Sequence, residues 1–105
     1  MARFTLYVDI QQGFKDDSVI VKVNGNDVFA EEHITTSPLT GPAASFSIPV
    51  DGGLAILQAL VPHRNLQGSL EFQVDSDIYL GISINKSDKK ERIGFLKGNR
   101  PFDYF

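Results

Sequence analysis

Apolar and polar residues alternate along most of this chain. Phe4, Leu6, Val8 and Ile10 share one face of the first segment and Thr5, Tyr7 and Asp9 the other, the period-two pattern of a half-buried β-strand. After a break at Gln11-Gln12-Gly13-Phe14-Lys15-Asp16-Asp17, Val19, Val21 and Val23 line a second, β-branched segment that stops at Asn24-Gly25-Asn26-Asp27. Asn-Gly between two apolar runs predicts a hairpin, because both residues accept the positive φ of a primed turn. The third strand carries Val28, Ala30 and Ile34 on one side and Phe29, Glu31 and His33 on the other, and Thr35 to Pro42 then breaks the pattern with two prolines and a glycine. Phe46, Ile48 and Val50 predict a fourth strand. Its Pro49 cannot donate to a ladder, which places that strand at a sheet edge or on a bulge.

Leu54 to Val61 is apolar nearly throughout and rich in Ala and Leu, a composition that also suits a helix. Its short length between Gly52-Gly53 and Pro62 favours a buried central strand. His63 to Gly68 reads as a turn. Leu70, Phe72 and Val74 then alternate with Glu71, Gln73 and Asp75, and Ile78, Leu80, Ile82 and Ile84 with Tyr79, Gly81, Ser83 and Asn85. A charged turn from Lys86 to Arg92 leads to a last short strand around Ile93 and Phe95. About eight short strands with turn signals every 8 to 12 residues or so predict an all-β fold without significant helix, a small antiparallel β-sandwich of immunoglobulin-like or C2-like layout. The likeness extends only to strand number and spacing, since the cysteines and core tryptophan of immunoglobulin domains are absent.

Composition narrows the reading. A chain of 105 residues, 42% hydrophobic with eight Phe, suits one domain with a continuous core, here taken as residues 1–105 with 98–105 as a C-terminal apolar strap or arm. A net charge of −3 with dispersed Lys and Arg argues against nucleic acid as a partner. The absence of Cys removes disulfides, thiolate nucleophiles and zinc sites built on thiolates. The first residues lack the apolar run of a signal peptide, and Leu54 to Val61 is too short to span a bilayer, so the expectation is a soluble, cytoplasmic protein without a membrane partner.

If successive strands run in opposite directions, every second connection emerges at the same end. One end then gathers Asp27, Asp51, Asp75 and Asp77 with Asn24 and Asn26, hard oxygen ligands of the kind Ca²⁺ takes, although turns use the same residues for their own backbone and Arg3, Lys97 and Arg100 stand ready to pair with them. The other end gathers Thr35, Thr36, Ser37 and Thr40 beside His63, Arg64 and Asn65, a set suited to an anionic or sugar-like ligand or, equally, to capping its own loop. A Ser37, His63 and Asp17 arrangement can be drawn there, but no motif of nucleophilic, metal-hydrolytic or phosphate-binding chemistry occurs. Phe102, Tyr104 and Phe105 form an apolar tail that either docks on its own domain or serves self-association or a protein partner. The expected function is therefore a non-catalytic binding or interaction module, neither an enzyme nor dependent on a cofactor. The alternatives are a calcium-dependent binding domain at the aspartate-rich end and, third, a small hydrolase at the His63 end.

Overall fold

The computed structural model describes residues 2–37 and 41–102. Its strands are β1 (Arg3–Ile10), β2 (Asp17–Val23), β3 (Asn26–Ile34), β4 (Ala44–Asp51), β5 (Gly53–Val61), β6 (Leu66–Val74), β7 (Ile78–Ser87) and β8 (Lys90–Gly98). The only helical element among the described residues is a 3₁₀ turn at Pro62–Arg64. Two four-stranded sheets result, ordered β4-β1-β7-β8 and β3-β2-β5-β6, and they close on one apolar core as an all-β sandwich. Leu6, Val8, Ile10, Leu80 and Ile82 line it from the first sheet and Val19, Val21, Leu57, Ala59 and Val61 from the second, all buried as the alternation requires. No helix among the described residues is long and apolar enough to cross a membrane.

The sandwich departs from a purely antiparallel one at a single pair. β1 and β7 run parallel, in a register that sets Leu6 beside Ile78, Tyr7 beside Tyr79 and Val8 beside Leu80. Gln11 N–H donates to the Ile82 carbonyl and Ile84 N–H to the Gln12 carbonyl, carrying the pairing past the end of β1. The physical reason is parity: in a chain of alternating direction, two odd-numbered strands that become neighbours must be parallel.

Both seams between the sheets are closed by side chains. Phe29 of β3 stacks on Phe46 of β4, with ring centroids 4.6 Å apart. At the opposite seam β6 approaches β8 so closely that a Cβ at Gly68 would stand 3.1 Å from Ile93 Cβ. The turns follow the local chemistry. Asn24 and Gly25 both take positive φ, 51° and 84°, as a primed hairpin turn demands. Asp88 and Lys89 do likewise, shrinking the charged 86–92 segment to a two-residue turn between Ser87 and Lys90 and lengthening β8 to nine residues.

Three sequence expectations change. Leu54–Val61 is a central strand but not buried on both sides, because Leu54 and Ile56 point outward, 61% and 42% exposed. In β3 one position changes: Val28 and Ile34 face the core as expected, but register shifts in the β2–β3 ladder set Phe29 opposite buried Val21 and pack it against the core, while Ala30 is exposed. Phe14, within the predicted break, is 3% exposed and plugs one end of the core. Pro49 does lie on an edge strand. Its partner Thr5 turns its N–H the other way, to Asp77, so the position lacking a donor faces the open edge.

Candidate functional site

The two ends assemble as parity requires, and their polar groups are largely engaged with one another. At the aspartate-rich end Asp51 pairs with Arg3 at 3.4 Å, Asp27 with Lys22 at 3.4 Å, and Asp77 accepts the Thr5 N–H at 2.8 Å. Asp75 is exposed in the β6–β7 turn, and Asn24 Oδ1 accepts the Ile56 N–H. Among the described residues, no group of three His, Asp or Glu side chains comes close enough to hold a metal ion.

At the other end the loop hydroxyls brace backbone. Thr35 Oγ1 accepts the Asp16 N–H at 2.8 Å. Thr36 Oγ1 accepts the Phe14 N–H at 3.1 Å and donates to the Gln11 carbonyl at 2.8 Å, which fixes the turn that carries Phe14 into the core. Arg64 lies at the centre. Its Nε and Nη2 grip Asp17 at 3.0 and 2.8 Å, Nη2 also reaches the Gly13 carbonyl at 3.1 Å, and Nη1 meets Glu91 at 2.6 Å. The hydrogen bond to Asp17, outweighing partial burial, holds the guanidinium pKa above its ordinary value. Asp17 is the one buried charged residue among those described, and burying it requires this bidentate partner. Its carboxylate therefore serves Arg64, while His63, one residue earlier on the 3₁₀ turn, is exposed to solvent, and Ser37 sits in an isolated bridge to Gly41. His33 lies on β3 in the left-handed region, φ 60°, and binds Asp16 at 2.6 Å. That hydrogen bond, then the Asp16 charge, raises the imidazole pKa. Thr40, Tyr104 and Phe105 lie outside the described residues; Phe102 is half-buried.

A different surface collects side chains of one character. The outer face of the β4-β1-β7-β8 sheet presents Ser47, Tyr7, Tyr79 and Gly98 in one row and Ser45, Asp9, Gly81 and Leu96 in the next. The Tyr7 and Tyr79 rings stack with centroids 4.6 Å apart and planes within 6°. That separation matches the spacing of neighbouring strands, so the rings stand side by side, each above its own strand. On the far flank of Tyr79 the register places Gly98, which has no side chain to cover the ring. Beyond the tyrosines lies an open groove of about 320 Å³ lined by Gln11, Gln12, Ser83, Asn85, Gly94 and Leu96, together with Phe95.

The groove floor is shaped by two glycines. A Cβ at Gly81 would overlap the Gln11 carboxamide, and one at Gly94 the Asn85 carboxamide, so each amide lies flat across a strand only because its glycine is there. Ser83 Oγ lies 3.4 Å from Gln11 Oε1, and Ser45 donates to Asp9 at 2.9 Å. From the Tyr7–Tyr79 row to the Ser83–Gly94 row, Asp9 is the only charged side chain on this face among the described residues; Asp77, bonded to the Thr5 N–H, borders that span on one side and Arg92, opposite Asn85, on the other.

The opposite sheet also carries a depression, of about 380 Å³, lined by Lys22, Gln58, Leu60, Gln67, Gly68 and Ser69. It is the larger of the two, but it has no aromatic ring and its cation is paired with Asp27. The tyrosine face was overlooked in the sequence because it belongs to strands rather than loops. Its signal was present: Tyr7 and Tyr79 each fall among the polar, outward positions of an otherwise apolar alternation. No family model matches the chain, and no curated protein sequence matches it significantly.

Proposed function

We propose that this protein is a non-catalytic binding module whose binding face is the outer surface of the β4-β1-β7-β8 sheet. The observation that carries the reading is the stacked Tyr7–Tyr79 pair set beside two carboxamides that glycines allow to lie flat on the sheet. Aromatic side chains with a polar tip are suited to this work, since the ring supplies contact area at little entropic cost and the hydroxyl stays hydrated. Tyr7, Tyr79 and Asn85 stand on strands and Gln11 directly follows β1, so the backbone that carries them is in place before a ligand arrives. The Thr35, Thr36 and Arg64 groups instead brace loop backbone and a buried carboxylate, contacts a ligand would have to break at a cost to the fold itself.

The test is thermal melting against a panel of oligosaccharides, short peptides and nucleotides. A panel member that raises Tm in the wild type and loses that effect in Tyr7→Ala/Asn85→Ala, with the variant still folded, supports the reading. A Tm rise that survives the double substitution, or turnover of a panel member, overturns it.

A further inference from the structure

The chemistry of the face goes further than binding in general, and we infer that its ligand is a neutral polysaccharide chain. The inference rests on the binding-face reading above and adds the ligand class. Three features of the surface point the same way.

The first is charge. A nucleotide, phospholipid or acidic peptide would need cations, yet from the Tyr7–Tyr79 row to the Ser83–Gly94 row the face carries one charged side chain among the described residues, the Asp9 carboxylate, already bonded to Ser45. The next charge toward the start of β1 is another carboxylate, Asp77. A basic ligand would need more than Asp9. An uncharged, hydroxyl-rich ligand brings no charge that would lose its hydration without a partner, and its hydroxyls can donate to Asp9.

The second is the mixture of groups. Sugar rings present C–H groups on one side and hydroxyls around the rim. Tyr79, flanked by Tyr7 on one side and by Gly98 on the other, offers an aromatic face to the C–H side. Gln11, Asn85 and Ser83 line the adjoining groove with carboxamide and hydroxyl groups, each able both to donate and to accept, as ring hydroxyls require.

The third is shape. The groove is shallow and open, and it continues the tyrosine rows across β7 and β8 without a deep pocket for a single side chain. An extended peptide would bind by extending a sheet edge, but the β4 edge is interrupted by Pro49 and the β8 edge is closed against β6 at Gly68. A chain molecule lying flat on the face fits what remains.

The experiment is affinity gel electrophoresis of the full chain in gels containing a soluble β-glucan, a xylan or a galactomannan, with alginate as the anionic control. The inference expects retardation by at least one neutral polysaccharide and none by alginate. Tyr79→Ala and Asn85→Ala should each weaken the association at least about tenfold, a loss of about 1.4 kcal/mol, while Tyr79→Phe, which keeps the ring, should retain most of it. Should Tyr79→Ala fail to fold, Asn85→Ala at an exposed position decides alone. No retardation by any of the three neutral polysaccharides, or retardation unchanged in both Ala variants, overturns the inference. A peptide or nucleotide that raises Tm through Tyr7 and Asn85, without polysaccharide retardation, would remove the ligand class and leave the binding face standing.

Discussion

Arg64 closes on Asp17 through two parallel hydrogen bonds, from Nε to Oδ1 at 3.0 Å and from Nη2 to Oδ2 at 2.8 Å. The carboxylate is 4% exposed and the guanidinium side chain 22%, so the pair sits at the rim of the core rather than in water. Asp17 opens β2, and Arg64 ends the 3₁₀ turn between β5 and β6. Through Gly13 and Glu91 the same guanidinium reaches the β1–β2 loop and β8, joining both sheets at one end.

Removing Arg64 therefore leaves a buried carboxylate without its partner. Arg64→Ala should cost about 2–3 kcal/mol, below the roughly 3–5 kcal/mol for breaking a fully buried pair because the guanidinium is partly hydrated. Arg64→Lys should recover only part of it, since an ammonium cannot bridge both oxygens. Urea unfolding of the three proteins checks this. A loss below about 0.5 kcal/mol in Arg64→Ala, the size of an ordinary surface substitution, would show that the pair does not hold the end together.

Two glycines that both look crowded should behave in opposite ways. At Gly13 φ is 91° and a Cβ would run into the Ile84 backbone carbonyl, which cannot move aside. Gly13→Ala should cost about 3 kcal/mol or more, from backbone strain and overpacking together. At Gly81 the obstacle is the end of the flexible Gln11 side chain, so Gly81→Ala should cost less than about 1 kcal/mol while lifting the carboxamide off the sheet. Melting curves separate the two. On the binding-face account, Gly81→Ala also weakens ligand binding without lowering stability much.

The His33–Asp16 contact gives a pH dependence of definite sign. The imidazole pKa is raised above its ordinary value of 6.5 by the Asp16 hydrogen bond and then by its charge. A group whose folded pKa is raised stabilises the fold fully below its unfolded pKa, so this contribution is present below pH 6.5 and fades as pH climbs through the folded value. Both groups are exposed, so the readout is local: in an NMR titration the His33 midpoint should fall in Asp16→Asn. An unchanged midpoint would mean that the contact is absent in solution.

Calcium provides a separate check on the aspartate-rich end. Asp51, Asp27 and Asp77 are engaged by Arg3, Lys22 and the Thr5 N–H, and a cation would have to displace those partners. Melting with excess Ca²⁺ should leave Tm unchanged. A ligand of the folded state at a hundred times its Kd adds about 2.7 kcal/mol, a shift too large to miss, and its appearance would restore the calcium-dependent reading.

Much of the fold could be read from the chain because its information is local. The alternation at Phe4–Ile10, Val19–Val23 and Ile78–Ile84, the Asn24-Gly25 turn and the edge position implied by Pro49 all depend on neighbours within a strand or turn. What escaped depends on distant pairing. Phe14 belongs to the core only because Thr36, from another loop, fixes its backbone. Phe29 replaces Ala30 on the inner side only because β2 and β3 slip register. Tyr7 and Tyr79 were each legible as outward residues, but their stacking needs the parallel pairing of the first and seventh strands across 72 positions, which no local pattern encodes. The candidate site moved from loops to a sheet face for the same reason. Loop hydroxyls look available in a sequence, and only the assembled structure reveals that Thr35 and Thr36 are committed to Asp16, Phe14 and Gln11.

The binding face can be tested most directly by mapping backbone amide shifts in an NMR titration of the wild-type chain with oligosaccharides released from the neutral polysaccharides above. The account predicts perturbations concentrated on Tyr7, Asp9, Gln11, Tyr79, Ser83, Asn85 and Leu96, with the Thr35–Thr36 loop and Arg64 unmoved. Perturbations centred on His63, Arg64 and Thr36, with the tyrosine face silent, would contradict it.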